Sequence, residues 1–333
     1  TVVSWNALIG GYVQHGLGNE ALNCFERMQD EGISPDVVTF ASIVKACGSM
    51  RSTRKGVEIH AEVSKRVFLA KNVMLATSFV DMYAKCGDLA KAQEVFDDIS
   101  IRDVVSWTAL ISGYVDHGRS NDALLLYYHV IRMNERINGD GLQPNHYTFV
   151  SLLKACGNLS DIENGHKLHD DIKTMGFLSN VYVVNTLVSM YGKCGDVIKA
   201  ESVFVVGMPR FDPASWNVML SVYVERGEDK KSLLLFRQMQ EEGVSPDERT
   251  LVTVLQACIN LNKNNDLHNV NERGDEDLAL AIGQALHSKA RRRGFSSHVF
   301  FVTALTCMYG KCRQVHWSEN IFSEMLYPDV IMW

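Results

Sequence analysis

This chain of 333 residues lacks a basic excess: 39 acidic residues stand against 33 lysines and arginines, for a net charge of −6. No global positive field is therefore present to attract nucleic acid, so any RNA contact has to come from local groups. No run approaches about 18 apolar residues, so no membrane-spanning helix is expected. None of the eight cysteines forms a CxxC pair, the spacing that zinc and redox sites use. No Ser/His/Asp grouping or carboxylate pair stands out, and neither a cofactor nor a metal is expected. The chain starts at Thr1 without an initiator Met and shows no signal or transit segment. Both ends are expected to be cut from something longer, which leaves localisation illegible in these residues.

What is present is repetition. "MYAKCGDL" (82–89) returns as "MYGKCGDV" (190–197) and as "MYGKCRQV" (308–315). The tryptophans Trp5, Trp107, Trp216 and Trp333 and the "AC" cysteines Cys47, Cys156 and Cys258 recur at intervals of about 100 residues. Cysteines that recur at one repeat position behave as small buried apolar residues, so reduced packing cysteines are expected. Each long unit divides into three, giving 2–36, 37–72, 73–103, then 104–145, 146–180, 181–212, then 213–247, 248–298, 299–329. Residues 330–333 begin a tenth. Two polar inserts, near 133–140 and 262–277, lack apolar rhythm and are expected to be surface loops.

Within each unit the apolar period is that of two helices. "VVSWNALIGGYVQHG" puts Trp5, Leu8, Ile9 and Tyr12 at helical spacing, and "NEALNCFERMQDEG" does the same with Ala21, Leu22, Phe25 and Met28. Asn19 is expected to cap the second helix and Gly32 to end it. Pro35 disfavours helix at Ser34. One such hairpin cannot bury its apolar stripe alone, so an all-α solenoid of helix-turn-helix repeats is expected. In the eight-residue echo, Met82 and Tyr83 pack inward, Gly87 turns the chain and Asp88 caps the next helix.

A tetratricopeptide array also carries W-x2-L and a later Tyr, but its repeats have one fixed length. Here "VVSWNALIGGYVQHG", "VVTFASIVKACGSM" and "VMLATSFVDMYAKCGDLAKAQEVFDDISIRD" open units of cycling length that end in acidic residues or Asn. These stretches resemble the P, L, S triplet class of pentatricopeptide repeat proteins of plant organelles, over nine repeats and the start of a tenth. The inserts, the slightly long short repeat 181–212 and "KCRQ" depart from that pattern.

The resemblance implies a right-handed superhelix that binds single-stranded RNA one base per repeat. In the family, the residue after the "SW" site and the last residue of the repeat choose the base. Carried over, Asn6 with Asp36 implies U, Thr77 with Asp103 implies G, and Thr108 with Asn145 implies A. Asn185 with Asp212 and Asn217 with Asp247 imply U, and Thr303 with Asp329 implies G. Ala41 with Asn72, Val150 with Asn180 and Val252 with His298 are expected to be weak or silent readers, since Ala and Val cannot hydrogen-bond. The expected target is U-n-G-A-n-U-U-n-G. The resemblance further implies a mitochondrial or chloroplast setting. It also implies C-to-U editing by a deaminase in the same chain or as a partner, with these repeats themselves non-enzymatic.

Asn, Asp and Thr also cap helices, so a capping role stands beside the reading role. Lys85, Lys193 and Lys311 recur near the end of a first helix and are candidates for RNA phosphates. A protein-binding scaffold without RNA contact is the rival function. Other motifs lead elsewhere. "GLGNEA" (16–21) follows a helix, whereas a dinucleotide site needs a strand. "HAE" (60–62) lacks the P-C-x-x-C of a zinc deaminase.

Overall fold

The computed structural model describes residues 1–66, 72–100, 102–137, 143–207, 212–265, 273–293 and 298–323. Asp329, the start of the tenth unit at 330–333 and the insert centres at 138–140 and 266–272 lie outside the described residues. Every regular element among the described residues is helical. The chain divides into two compact units, Thr1–Leu159 and a second that begins at Ser160.

The first unit contains α1 (Val2–Gln14), α2 (Gly18–Asp30), α3 (Val37–Ser49), α4 (Thr53–Ser64), α5 (Val73–Cys86), α6 (Leu89–Asp97), α7 (Val104–Asp116), α8 (Ser120–Ile137) and α9 (His146–Leu159). The odd helices pack in series, α1 on α3, α3 on α5, α5 on α7 and α7 on α9. Each even helix packs on the odd helices before and after it. Two helical layers result, the pattern of a solenoid in which each hairpin touches only its neighbours. The core lies where apolar residues recur at helical spacing. In α3, Phe40, Ile43, Val44 and Cys47 are all wholly buried.

The second unit contains α10 (Ile162–Thr174), a short 3-10 turn (Phe177–Ser179), α11 (Val181–Cys194), α12 (Val197–Gly207), α13 (Pro213–Glu225), α14 (Asp229–Glu241), α15 (Glu248–Asn265), α16 (Arg273–Arg293), α17 (Val299–Lys311) and α18 (Val315–Ser323). Here α11, α13, α15 and α17 pack in series, and α12, α14 and α16 each bridge two of them.

The recurring octapeptide has a packing cause. Met82 and Met190 are buried and fill notches left by glycines on the preceding helix. A Cβ on Gly56 would lie 2.4 Å from Met82 Sδ, and one on Gly165 would lie 2.6 Å from Met190 Sδ. The turn that follows takes a left-handed residue, Gly87 at φ 85° and Gly195 at φ 89°. Asp88 then caps α6 by accepting the Lys91 amide at 3.0 Å.

The third copy, "KCRQ", makes the same turn with Arg313 at φ 59°. Its closing bond from the Gln314 amide to the Tyr309 carbonyl, 2.9 Å, matches the bond from Asp88 to Tyr83, 3.0 Å. A side chain in this conformation costs about 1 kcal/mol. Arg313→Gly is therefore expected to stabilise the second unit by about 1 kcal/mol in urea unfolding.

Two expectations need correction. Asn19 does not cap α2, which starts one residue earlier at Gly18 with Leu17 at the cap position and no side-chain cap. Gly18 seats against Met50, whose Sδ would lie 2.5 Å from a Cβ at Gly18, so tertiary packing fixes where this helix starts. The inserts are not loops throughout. Helix α8 continues to Ile137, α15 reaches Asn265 and α16 begins at Arg273. Glu and Arg, as at 135 and 136, have good intrinsic helix propensity, so a lack of apolar rhythm does not by itself stop a helix.

Asp229, at the start of α14, is 2 % exposed, and its carboxylate accepts from Asn260 Nδ2 at 3.1 Å and from its own backbone amide. Burial pushes its carboxyl above the ordinary aspartate value, and the Asn260 bond only partly offsets this. A carboxyl whose folded pKa is raised contributes its stability below the unfolded pKa and loses it as pH rises through the folded value. Asp229→Asn is thus expected to raise stability at pH 7 by on the order of 1 kcal/mol, with little change in acid. Melting curves across that pH range check this.

Candidate nucleic-acid interface

From Asp36 to Asp247, the last residue of each unit sits at the start of the next odd helix and caps it, whereas His298 takes that place before α17 without a side-chain cap bond. Asp36 Oδ1 accepts the Thr39 amide at 2.9 Å. Asp103 accepts that of Ser106 at 2.8 Å, Asn145 that of Thr148 at 3.0 Å, Asp212 that of Ser215 at 3.0 Å and Asp247 that of Thr250 at 2.8 Å. Asn72 and Asn180 do the same for α5 and α11. Capping and reading are not alternatives in this geometry. The cap consumes Oδ1 and thereby fixes the second head atom, Oδ2 in Asp and Nδ2 in Asn. An acidic last residue keeps an acceptor there, and an amide keeps a donor.

The structure brings some predicted pairs together and leaves others apart. Asn6 Nδ2 donates to both oxygens of Asp36 at 3.0 and 3.1 Å. Asn217 Nδ2 donates to both oxygens of Asp247 at 3.0 Å. The carboxylate can only accept, so it fixes which end of the amide faces it. Thr108 reaches Asn145 indirectly: its Oγ1 lies 2.7 Å from Thr148 Oγ1, and the Thr148 hydroxyl lies 3.1 Å from Asn145 Oδ1.

In the shorter units no such bond forms among the described residues. Thr77 Oγ1 is buried without a hydrogen-bond partner, so it does not meet Asp103. No bond joins Asn185 to Asp212, which lies on the surface. The Thr303 hydroxyl donates to its own helix at the Val299 carbonyl, 2.8 Å. Its intended partner, Asp329, is outside the described residues. Ala41, Val150 and Val252 are half-buried, and His298 Nδ1 lies 2.8 Å from Glu248 Oε2.

Electrostatics favour charged carboxylates at the two joined pairs. At Asp36, burial raises the pKa, but bonds from the Thr39 amide, the Asn6 amide and the Thr39 hydroxyl outweigh it and leave the net value lowered. At Asp247 burial likewise opposes, and the bonds from Thr250 and Asn217 win. Asp247 is exposed while Asn217 is only 3 % exposed. The carboxylate is therefore the part that solvent meets first.

Periodicity alone missed a row of exposed apolar residues. Val3, Val38, Met74, Val105, Tyr147, Tyr182 and Phe300 are each the second residue of an odd helix and are at least half exposed. Five of them stand three residues before a candidate reader, as Val3 does before Asn6 and Val105 before Thr108, while Val38 and Tyr147 stand before the non-polar Ala41 and Val150. That spacing puts both on one helix face. The signal was in the sequence as a repeated offset, but an apolar residue in a helix reads first as core.

Lys85, Lys193 and Lys311 are all exposed. Lys85 Nζ already pairs with Asp81 at 2.6 Å. The histidines His60, His169 and His287 meet tyrosine hydroxyls, with Nδ1 at 2.9 Å from Tyr83, 2.8 Å from Tyr191 and 3.2 Å from Tyr309. Burial lowers the pKa of His60 and His169, which favours neutral packing rings. Among the described residues no group of His, Cys, Asp and Glu is placed to hold a metal. No helix there is long and apolar enough to cross a membrane.

The PPR repeat family description matches residues 1–49, 102–158 and 212–260, and a second PPR repeat description matches 76–104, 147–177 and 182–205. The chain belongs to the pentatricopeptide repeat family. Among similar proteins are three pentatricopeptide repeat-containing proteins of Arabidopsis thaliana. One is 34% identical over 334 residues and matches 100% of this chain but 37% of its own length. A second, named as chloroplastic, is 33% identical and matches 100% of this chain and 50% of itself. A third, named as mitochondrial, is 30% identical and matches 99% of this chain and 36% of itself. This pentatricopeptide repeat chain thus spans a half or less of these relatives. The crystal structure of the pentatricopeptide repeat protein PPR10 from maize aligns over all of this chain and 60% of its own, at 16% identity and a TM-score of 0.42.

Proposed function

We propose that the chain is a nine-repeat array of the P, L, S class, with the boundaries given above, that reads single-stranded RNA as U-n-G-A-n-U-U-n-G. The observation that carries this is the Asn–Asp–Thr cluster, built the same way at Asn6, Asp36 and Thr39 and again at Asn217, Asp247 and Thr250. Uracil offers an N3–H donor flanked by carbonyl oxygens. It suits a carboxylate acceptor beside an amide N–H. Cytosine places an unprotonated acceptor at N3, which the carboxylate repels. Asn145 in place of Asp keeps a donor at its second head atom, which suits the N1 acceptor of adenine. Where an exposed apolar residue stands three positions earlier, as Val3 does before Asn6, it supplies a surface on which a base ring stacks. Because Asn217 is buried, a base engages it by way of the exposed Asp247.

Fluorescence anisotropy with the nine-mer and a scrambled control tests the reading. Tighter binding of the nine-mer supports it. Equal affinity, or crosslinking that captures protein and no RNA, removes it in favour of a scaffold. Organellar RNA processing is the proposed setting, supported by the chloroplastic and mitochondrial names of relatives. C-to-U editing, with a deaminase in the same chain or as a partner, is the proposed outcome. The three lysines are proposed phosphate contacts. Replacing Lys85, Lys193 and Lys311 together by Gln is expected to lower the salt slope of binding by about 2, since each phosphate contact on a single strand contributes about 0.7.

A further inference from the structure

Three threonines, Thr39, Thr148 and Thr250, are buried polar residues, each the third residue of an odd helix. Each hydroxyl reaches back to the reader of the preceding repeat. Thr39 Oγ1 lies 2.5 Å from Asn6 Oδ1, Thr250 Oγ1 lies 2.6 Å from Asn217 Oδ1, and Thr148 Oγ1 lies 2.7 Å from Thr108 Oγ1. The chain contains its own control. Ser106 and Ser215 hold the same helix position and cap in the same way. The Ser106 hydroxyl donates to the Asp103 carbonyl and that of Ser215 to Asp212 Oδ1, and neither reaches back to Thr77 or Asn185. Thr77 is then left without a partner, and Asn185 is not bonded to Asp212. Capping alone therefore does not require the contact that the threonines make.

We infer that Thr39, Thr148 and Thr250 are positioning residues that lock the preceding reader in one orientation and so set the sharpness of base choice. This rests on the base-reading function proposed above and adds to it a division of labour. At Asn217 the carboxylate takes the amide nitrogen and the threonine takes the amide oxygen, so the amide cannot flip. Positions read by Asn6, Thr108 and Asn217 discriminate strongly, and those read by Thr77 and Asn185 discriminate weakly.

The test uses the whole chain and nine-mers that differ only at the seventh nucleotide. Thr250→Val keeps the shape and removes the hydroxyl, and Thr250→Ser restores it. The expected result is a preference for U over C in the unsubstituted protein that falls about tenfold in Thr250→Val and returns in Thr250→Ser. The preference at the first nucleotide, read by Asn6, stays unchanged. If Thr250→Val keeps the U-over-C ratio, or loses affinity for all four bases alike, the positioning role is wrong and the base-reading function stands. If the unsubstituted protein shows no preference at any nucleotide, both fall. A second measurement needs no RNA. Side-chain amide hydrogens of Asn217 should exchange with solvent at least about tenfold faster in Thr250→Val than in the unsubstituted protein, and equal rates would overturn the lock.

Discussion

Asn217→Thr is expected to move the preference at the seventh nucleotide from U to G by at least about tenfold, because one well-placed base contact is worth about 1–3 kcal/mol of discrimination. The physical reason lies in what Asp247 accepts. In the present chain the Asn217 amide donates to both of its oxygens at 3.0 Å. Threonine is too short to do so, as the separation of Thr77 from Asp103 illustrates. The freed carboxylate then has both oxygens for the N1–H and N2–H donors of guanine, while the amide that holds Asp247 in the proposed uracil-reading arrangement is lost. Helix α13 should tolerate the change, since Thr77, Thr108 and Thr303 occupy the same helix position elsewhere. Competition binding with the seventh base varied, alongside far-UV circular dichroism, checks this. Equal loss for every base with helicity intact would mean that Asn217 is structural.

The second large effect concerns the spacing between rungs. Gly113 in α7 faces Ala84 in α5, and a Cβ there would lie 2.5 Å from Ala84 Cβ and 3.3 Å from its Cα. The second contact is backbone, so the helices must part rather than a side chain rotate. Gly113→Val is expected to cost about 2–3 kcal/mol, the upper range for overpacking, measured as a lower urea midpoint. Adding Ala84→Gly should recover part of the loss. Gly10→Val is the control, since a Cβ on Gly10 meets nothing within 4 Å. Because α5 and α7 carry Thr77 and Thr108, RNA affinity should fall with the clash and recover with its relief.

Much of the fold was legible because the apolar period is helical and the period itself repeats. Ile9, Met82 and Tyr83 are buried where the pattern placed them, whereas Leu8, at the same helical spacing as Ile9, is exposed. Asn19 failed as a cap because Gly18 fits against Met50, a contact between residues about 30 apart that no local pattern encodes. The insert edges were misread because polarity distinguishes wet from dry and not helix from loop. At the site, spacing found the candidate readers but not which of them touch. Asn185 and Asn217 are the same residue in the same helix position, yet only Asn217 is bonded to its acidic partner. The two settings differ at a residue outside the pattern used to find the pair, Thr250 after Asp247 against Ser215 after Asp212, and in spacing, 30 residues against 27. The exposed row from Val3 to Phe300 was hidden by the habit of assigning apolar residues to the core.

The central claim is that successive unstacked bases meet the starts of successive odd helices. Crosslinking with 4-thiouridine placed only at the seventh nucleotide of the nine-mer tests it most directly. The account predicts an adduct mapped by mass spectrometry to the starts of α13 and α15, around Asn217 or Thr250. An adduct confined to the even helices, such as α12 or α14, or spread over all odd helices alike, would contradict it.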